Sequence, residues 1–258
     1  MARKYDETSF NNTTKNIKPA LSLIHANLQS CTKNYGSLKA HLTNLETKFD
    51  IIAISESGVN NANLVQNTFE NYQFYHRKPR HNTTKGGVAL FINQDIITTI
   101  SERTDLEMNI PYVENIWLQI NNTIIAVIYK HPHASNEALT KKIEINLESI
   151  NREKKMSIIC GDININLLDT KSTDVKAYTD TLLAHNFIPT IALPTRITDH
   201  SLTLIDHINL YRPLKLMSST CLSGNLFFDI SDHLPNFIIL EGEKTNAPQQ
   251  RPYIRIYS

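Results

Sequence analysis

Short apolar, β-branched runs punctuate this sequence, and each of them stops on a polar residue. ALSLIHA (20–26) stops at Asn27, DIIAIS (50–55) at Glu56, IIAVIY (124–129) at Tyr129 itself, and MSIIC (156–160) at Gly161-Asp162. LTLI (202–205) runs into Asp206, and FFDI (227–230) into Ser231-Asp232-His233, just ahead of PNFIIL (235–240). Runs this short fall far below the roughly 20 apolar residues that cross a bilayer, and they match buried strands. A carboxylate buried alone costs several kcal/mol, so such polar ends are expected to be paired, hydrogen-bonded or on a metal. One Asp after a strand is usually a turn or helix-cap residue. Three acids plus an Asp-His pair, each at such an edge, point instead to strand ends converging on a site.

The remaining signals set the fold class. SLKAHLTNLETKF (37–49), residues 136–150 and DVKAYTDTLLAHN (174–186) carry helical spacing. GGVALFI (86–92), SSTCL (218–222) and SLTLIDHINL (201–210) read as further strands, and NIWLQINNTIIAVIY (115–129) as a hairpin turning at Asn121-Asn122. Strands and helices alternate early, whereas later strands follow one another directly. That mixture indicates a mixed α/β sandwich rather than a doubly wound parallel sheet. With 258 residues and no dividing linker, one domain is expected over 20–241. Residues 1–19 read as a polar tail without an apolar signal core, and 242–258 as a polar connector.

Composition excludes several chemistries. The seven glycines include no GxG pair and no GxxxxGK, which removes the dinucleotide fingerprint and the P-loop. GxSxG and HExxH are also absent. Cys31, Cys160 and Cys221 are odd in number and widely spaced, so neither a disulfide framework nor a cysteine-zinc site is expected, and a reducing intracellular compartment fits. A net charge of +1 is not that of a globally basic nucleic-acid binder; RKPRHNTTK (77–85) and Arg196 are the local basic candidates. Carboxylate and amide oxygens suit a hard cation such as Mg²⁺. A histidine beside acids suits proton handling, and Asn and Tyr suit hydrogen bonding to charge developing at phosphorus. Together these parts fit metal-assisted phosphoester hydrolysis.

At these residues the sequence resembles the endonuclease/exonuclease/phosphatase superfamily. HANLQS, ISES, IYKHP, GDININ, LIDHI and SDHLP stand in the family's order, over about residues 20–240. Within that superfamily IYKHP, PTRIT (194–198), SLTLIDHI and the closing RPYIRIYS are similar to the endonuclease domain of a non-LTR, LINE-type retrotransposon, nearest a CR1/L2-like branch. The resemblance implies a four-layer α/β sandwich, with two mixed β-sheets packed face to face and flanked by helices. It implies Glu56 as principal Mg²⁺ ligand (with Mn²⁺ able to substitute), and Asn27 and Asp232 beside the metal. Asp162 would activate water, Asn164 bind the scissile phosphate, Tyr129 donate to it, and Asp206 orient a phosphate-contacting His233. Ser231 and Thr195 would contact substrate or support the site, and Arg196 would reach the DNA backbone. The implied partners are double-stranded DNA and a reverse transcriptase in the same polypeptide, with no membrane and with action in the nucleus. One departure is visible: Gln29 stands where repair-type members carry an acid. An abasic-site repair endonuclease and a small-molecule or lipid phosphodiesterase are the alternative activities on the same fold. His25, His131, His133, His200 and Asn166 read as structural residues, and target specificity is expected in loops 76–86 and 211–230.

Overall fold

The structure, a computed structural model, describes residues 3–30, 32–79, 85–213 and 220–242. Residues 243–258 of the expected connector, and parts of the two candidate specificity loops (80–84 and 214–219), lie outside the described residues. The strands are β1 (Arg3–Tyr5), β2 (Pro19–Asn27), β3 (Ile51–Ser55), β4 (Tyr72–Arg77), β5 (Val88–Asn93), β6 (Ile100–Glu102), β7 (Val113–Ile120) and β8 (Thr123–Lys130). They continue as β9 (Met156–Asp162), β10 (Ile188–Pro189), β11 (Arg196–Ile197), β12 (Leu202–Thr203), β13 (Asp206–Tyr211), β14 (Cys221–Leu226) and β15 (Asn236–Glu241). Four helices accompany them: α1 (Glu7–Thr14), α2 (Asn34–Thr43), α3 (Asn136–Glu153) and α4 (Thr173–Ala184).

Two mixed sheets form, in the strand orders β1-β14-β15-β2-β3-β5-β4 and β10-β13-β9-β8-β7-β6. The pairs β2/β3, β8/β9 and β1/β14 are parallel and the other pairs antiparallel. Three apolar layers separate four layers of secondary structure. Leu23, Ile51, Ala53, Val88 and Leu90 of the first sheet meet Ile125, Val127, Ile158, Cys160 and Ile208 of the second. Behind the first sheet, Ile24, Ala26, Ile52, Ile54 and Phe237 pack with Phe10, Tyr35 and Leu38 of the helices. Behind the second, Ile124, Ala126, Ile128 and Ile159 pack with Leu139, Ile143, Leu147, Tyr178 and Leu182. The expected four-layer sandwich is therefore present. Both sheets are covered on both faces, which is why their strands read as continuous apolar runs. Each such Ile or Leu contributes about 1.5–3 kcal/mol when fully buried.

The pleat also sorts the polar residues. Side chains alternate faces with period two. In β2, Leu21 and Leu23 enter the inter-sheet layer, and His25 and Asn27 continue that row. The same parity carries Ile51 and Ala53 to Ser55, Ile125 and Val127 to Tyr129, Ile158 and Cys160 to Asp162, and Leu210 and Ile208 to Asp206. In β15 it carries Leu240 and Ile238 to Asn236. Each row is apolar in its middle and polar at the same end of the sandwich.

Three expectations are corrected. Residues 3–14 form β1 and α1 rather than a polar tail, because Tyr5 and Phe10 pack edge-on against each other and against Phe237. The run 201–210 is two strands: the Thr195 hydroxyl accepts the backbone N–H groups of Ile205 and Asp206 at 3.2 and 3.0 Å, so β12 ends and Asp206 opens β13. Of the strand expected at 218–222, residues 218 and 219 lie outside the described residues, and β14 runs from Cys221 past the expected end to Leu226.

Gly161 fixes the approach of β9 to the site. Its φ is +142°, and a Cβ there would lie 1.8 Å from the Ile128 carbonyl oxygen. Gly161→Ala is expected to cost more than about 4 kcal/mol in urea unfolding. A variant as stable as the parent would mean that β8 and β9 do not approach as described.

Candidate active site

Six polar strand ends meet at one edge of the inter-sheet layer, and cross-strand register places them. Asp162 of β9 lies between Tyr129 of β8 and Asp206 of β13, its direct ladder partners. In the other sheet Asn27 stands opposite Ser55, and His25 opposite Asn236. Glu56 follows β3 with φ +45°. Strict alternation would send its side chain to the helix face with Ile54; the left-handed backbone turns it instead toward Asn27. Such a conformation costs a non-glycine residue of order 1 kcal/mol and is tolerated where the surroundings hold it. Asn164, at φ +49°, makes the corresponding turn after β9, where an asparagine is well suited.

Asn27 ties the acids together. Its Nδ2 donates to Glu56 Oε1 at 3.0 Å and to Asp162 Oδ2 at 2.8 Å, while its Oδ1 accepts from the Gln29 backbone at 2.8 Å. The other Asp162 oxygen accepts from the Asn164 N–H at 3.1 Å, and Asn164 Nδ2 donates to the Lys130 carbonyl at 2.8 Å. Tyr129 is buried with its hydroxyl on Glu56. Burial, then the charges of Glu56, Asp162 and Glu114, push its pKa up, so it stays a phenol able to donate.

Asp206 and His233 form the second unit. His233 Nδ1 lies 2.8 Å from Asp206 Oδ2, and both side chains are buried. Burial alone would lower the histidine pKa, but the Asp206 charge and hydrogen bond outweigh it and carry it to about 9. In Asp206 burial likewise opposes charge, and His233 wins, holding the carboxyl below its ordinary value. The pair is thus an imidazolium–carboxylate. Asp162 moves the opposite way: burial first, then Asp206 and Glu56, raise it well above the usual carboxylate range. A base with a raised pKa is better matched to taking a proton near neutral pH.

Asp232, which the resemblance sets beside the metal, is held by two side chains. One carboxylate oxygen accepts from Gln29 Nε2 and the other from Arg196 Nε at 2.8 Å. It clamps the loop after β2 to β11, at the rim of the site. Ser231 Oγ donates to the Asn27 carbonyl at 3.2 Å and accepts from the His233 N–H at 3.1 Å, so it supports the site from behind. Thr195 does the same for Asp206. Every residue expected in the site is therefore in or around one cluster.

The oxygen donors fit a hard divalent cation. His233 is engaged by Asp206 and Arg196 by Asp232, so Glu56 and Asp162 are left sharing the Asn27 amide. Asp162, Asp206 and His233 also offer ligand atoms within 4.8 Å of one another. A charged imidazolium has no lone pair to give, so Glu56 and Asp162, spanned by Asn27, are the better seat.

His25, read as a structural residue, is packed and hydrogen-bonded behind the site. Its Nε2 lies 2.9 Å from Ser55 Oγ, and its Nδ1 lies 3.2 Å from Asn236 Oδ1 and 4.0 Å from Asp206 Oδ1. Asn236 Nδ2 donates to the Asp206 carbonyl at 2.9 Å. Burial lowers the His25 pKa to about 4, so a neutral ring backs the Asp206–His233 pair. The available signal was its parity with Asn27. His131 and His133 lie in the turn after β8, and Asn166 accepts from the Leu204 N–H at 2.9 Å, a structural role.

The His233 imidazole, followed by NMR in EDTA, is expected to titrate near pH 9 and to fall to or below its ordinary value of 6.5 in Asp206→Asn. Because its folded pKa lies above the unfolded one, its contribution to stability is complete below about pH 6.5 and is lost as the pH rises through 9. An unperturbed titration in the parent protein would contradict the ion pair.

No protein-family model matches the chain, and no curated protein matches it. Solved structures do. The endonuclease domain of TRAS1, a telomere-specific non-LTR retrotransposon, is 14% identical with a TM-score of 0.59, covering 87% of this chain and 99% of that one. The AP endonuclease LMAP from Leishmania major is 12% identical with a TM-score of 0.65, over 86% and 88%. The 3′ phosphatase NExo from Neisseria, bound to product DNA hairpin, is 14% identical with a TM-score of 0.65, over 86% and 100%. The resemblance drawn from the six sequence motifs thus extends to three dimensions: this chain has the fold of the endonuclease/exonuclease/phosphatase superfamily.

Proposed function

We propose that this chain is a metal-dependent endonuclease that hydrolyses a phosphodiester in double-stranded DNA, leaving a nick with a 3′-hydroxyl. The observation that carries this reading is the hydrogen-bonded line Glu56–Asn27–Asp162, set beside the Asp206–His233 ion pair at one sandwich edge. Glu56 and Asp162 would hold Mg²⁺, or Mn²⁺ in its place, with Asn27 fixing both carboxylates. When bound, the cation would supply charge neutralisation at the phosphate and at the leaving oxygen.

The protein groups divide the rest of the work. Asp162 accepts the proton of the attacking water. Asn164, pinned to the Lys130 carbonyl, aligns that water and the phosphate. His233 and Tyr129 donate hydrogen bonds to the non-bridging oxygens as negative charge builds there. The water oxygen bonds to phosphorus, the P–O3′ bond breaks, and O3′ leaves as the hydroxyl with a proton from solvent water; a 5′-phosphate remains. Arg196, half-exposed at the rim beside Asp232, reaches the DNA backbone.

The narrower reading is a retrotransposon endonuclease whose nick primes reverse transcription on nuclear DNA, with the reverse transcriptase in the same polypeptide. IYKHP, PTRIT and RPYIRIYS support it. Gln29 favours it over abasic-site repair: an amide stands where repair-type relatives carry an acid, and that amide is spent on Asp232.

Supercoiled plasmid is expected to become open circle with Mg²⁺ and to stay closed in EDTA. Asp162→Asn and His233→Ala should each slow nicking by about 10²–10⁴-fold, the usual worth of a positioned proton acceptor or donor. Full nicking in either variant overturns the mechanism. Faster cleavage of a duplex carrying one abasic site than of its intact counterpart would favour the repair reading.

A further inference from the structure

Asp206 opens β13 toward His233, and the next residue of that strand faces the other way. His207 shares the helix side of the second sheet with Tyr211 and is buried beside Tyr178 of α4. Its ladder partner is Gly161, which presents no side chain on that face.

The His207 ring joins three elements. Nε2 lies 3.0 Å from the Ile165 carbonyl oxygen and 3.3 Å from that of Leu204, and Nδ1 lies 3.3 Å from the Tyr178 hydroxyl. Asn209 Nδ2 donates to the same hydroxyl oxygen at 3.1 Å. A carbonyl can only accept, so Nε2 carries the hydrogen. Burial carries the His207 pKa down to about 4, so the ring is neutral and its bare Nδ1 accepts the Tyr178 O–H. The row therefore has one direction, from Asn209 through Tyr178 and His207 to the turn after β9.

That turn carries Asn164. Its φ of +49° is a conformation that persists where the surroundings hold it. On one side the Ile163 N–H donates to the Ile205 carbonyl at 2.9 Å, and the Asn164 N–H donates to Asp162 Oδ1. On the other side the Ile165 carbonyl accepts from His207, and the Leu167 N–H donates to the Leu204 carbonyl at 3.0 Å. Losing the imidazole would take a donor from a buried carbonyl one residue past Asn164, and with it one of the bonds that holds the left-handed turn.

We propose that His207 is a positioning residue for Asn164, holding the turn after β9 from the face of β13 opposite Asp206, while Tyr178 and Asn209 select the ring nitrogen that donates. This role deepens the endonuclease reading and rests on it. Two successive residues of β13 then govern the two halves of the site. Asp206 orients His233, and His207 orients the amide that aligns water and phosphate.

The test is steady-state nicking of supercoiled plasmid in Mg²⁺ by the full chain. His207→Phe keeps a ring and removes its hydrogen bonds. It should lower kcat by about tenfold to hundredfold, the cost of a displaced group at the reacting centre, with KM little changed. His207→Gln, whose amide presents an N–H in place of Nε2, should recover most of that loss. In an Asn164→Ala background His207→Phe should cost less than about twofold more, because a residue acting through Asn164 then has nothing to position. Tyr178→Phe covers a His207→Phe that does not fold: it should slow the parent about threefold, the worth of one neutral hydrogen bond, and leave Asn164→Ala unchanged. Imidazole nitrogen NMR in EDTA is expected to find Nε2 protonated and Nδ1 bare, and the reverse overturns the direction of the row. Parental kcat in His207→Phe, losses equal with and without Asn164 in either variant, or a Gln variant as slow as the Phe variant overturns the positioning role and leaves the endonuclease reading standing. A parent chain that does not nick overturns both.

Discussion

Carboxylates brought to one edge of an apolar layer repel one another, and the arrangement around them follows from how that repulsion is contained. Two like charges about 5 Å apart are worth roughly 3 kcal/mol at the effective dielectric of a protein near its surface. Asp162 and Asp206 are direct cross-strand partners, so the sheet itself forces them together. His233 neutralises Asp206, and the Asn27 amide gives one hydrogen to Asp162 and one to Glu56. Arg196 answers Asp232 outside. What remains is a local concentration of carboxylate oxygens at Glu56 and Asp162.

Containment explains why the site is assembled from both sheets. A single sheet could supply Tyr129, Asp162 and Asp206, but their partners come from across the inter-sheet layer: Asn27, Glu56, His25 and Asn236. The two sheets are joined in their middle by apolar side chains and at this edge by hydrogen bonds. Shifting any contributing strand by one residue would exchange its core row and its polar end together. Core packing and active-site geometry are therefore one constraint on register.

Much of this was legible in the sequence. Run length gave the strands, and a polar residue closing each run gave the site, because a covered sheet leaves no other room for a carboxylate than its ends. Asp162 and Asn164 in GDININ followed from alternation within one strand. Other features depend on contacts distant in the chain. Tyr5 and Phe10 are core residues only because Phe237 lies beneath them. Residues 201–210 looked like one strand because the interruption comes from Thr195, outside the run. His25 looked like a packed strand histidine, which it also is; its second role needed the position of Asp206. Alternation even misdirects at Glu56, where the left-handed backbone turns the side chain to the other face.

Gln29 shows how one side chain redistributes these roles. An acid at that position would add a further negative charge beside Asp232 and would need Arg196, a cation or a proton to compensate it. The amide donates to Asp232 instead, and Arg196 occupies the second oxygen. Asp232 is thereby a bracket between the loop after β2 and β11, and His233 Nε2 lies 3.9 Å from it. The bracket holds the rim while leaving the central charge to Glu56 and Asp162. The Gln29 and Arg196 hydrogen bonds thus hold the loop that carries Asp232 and His233.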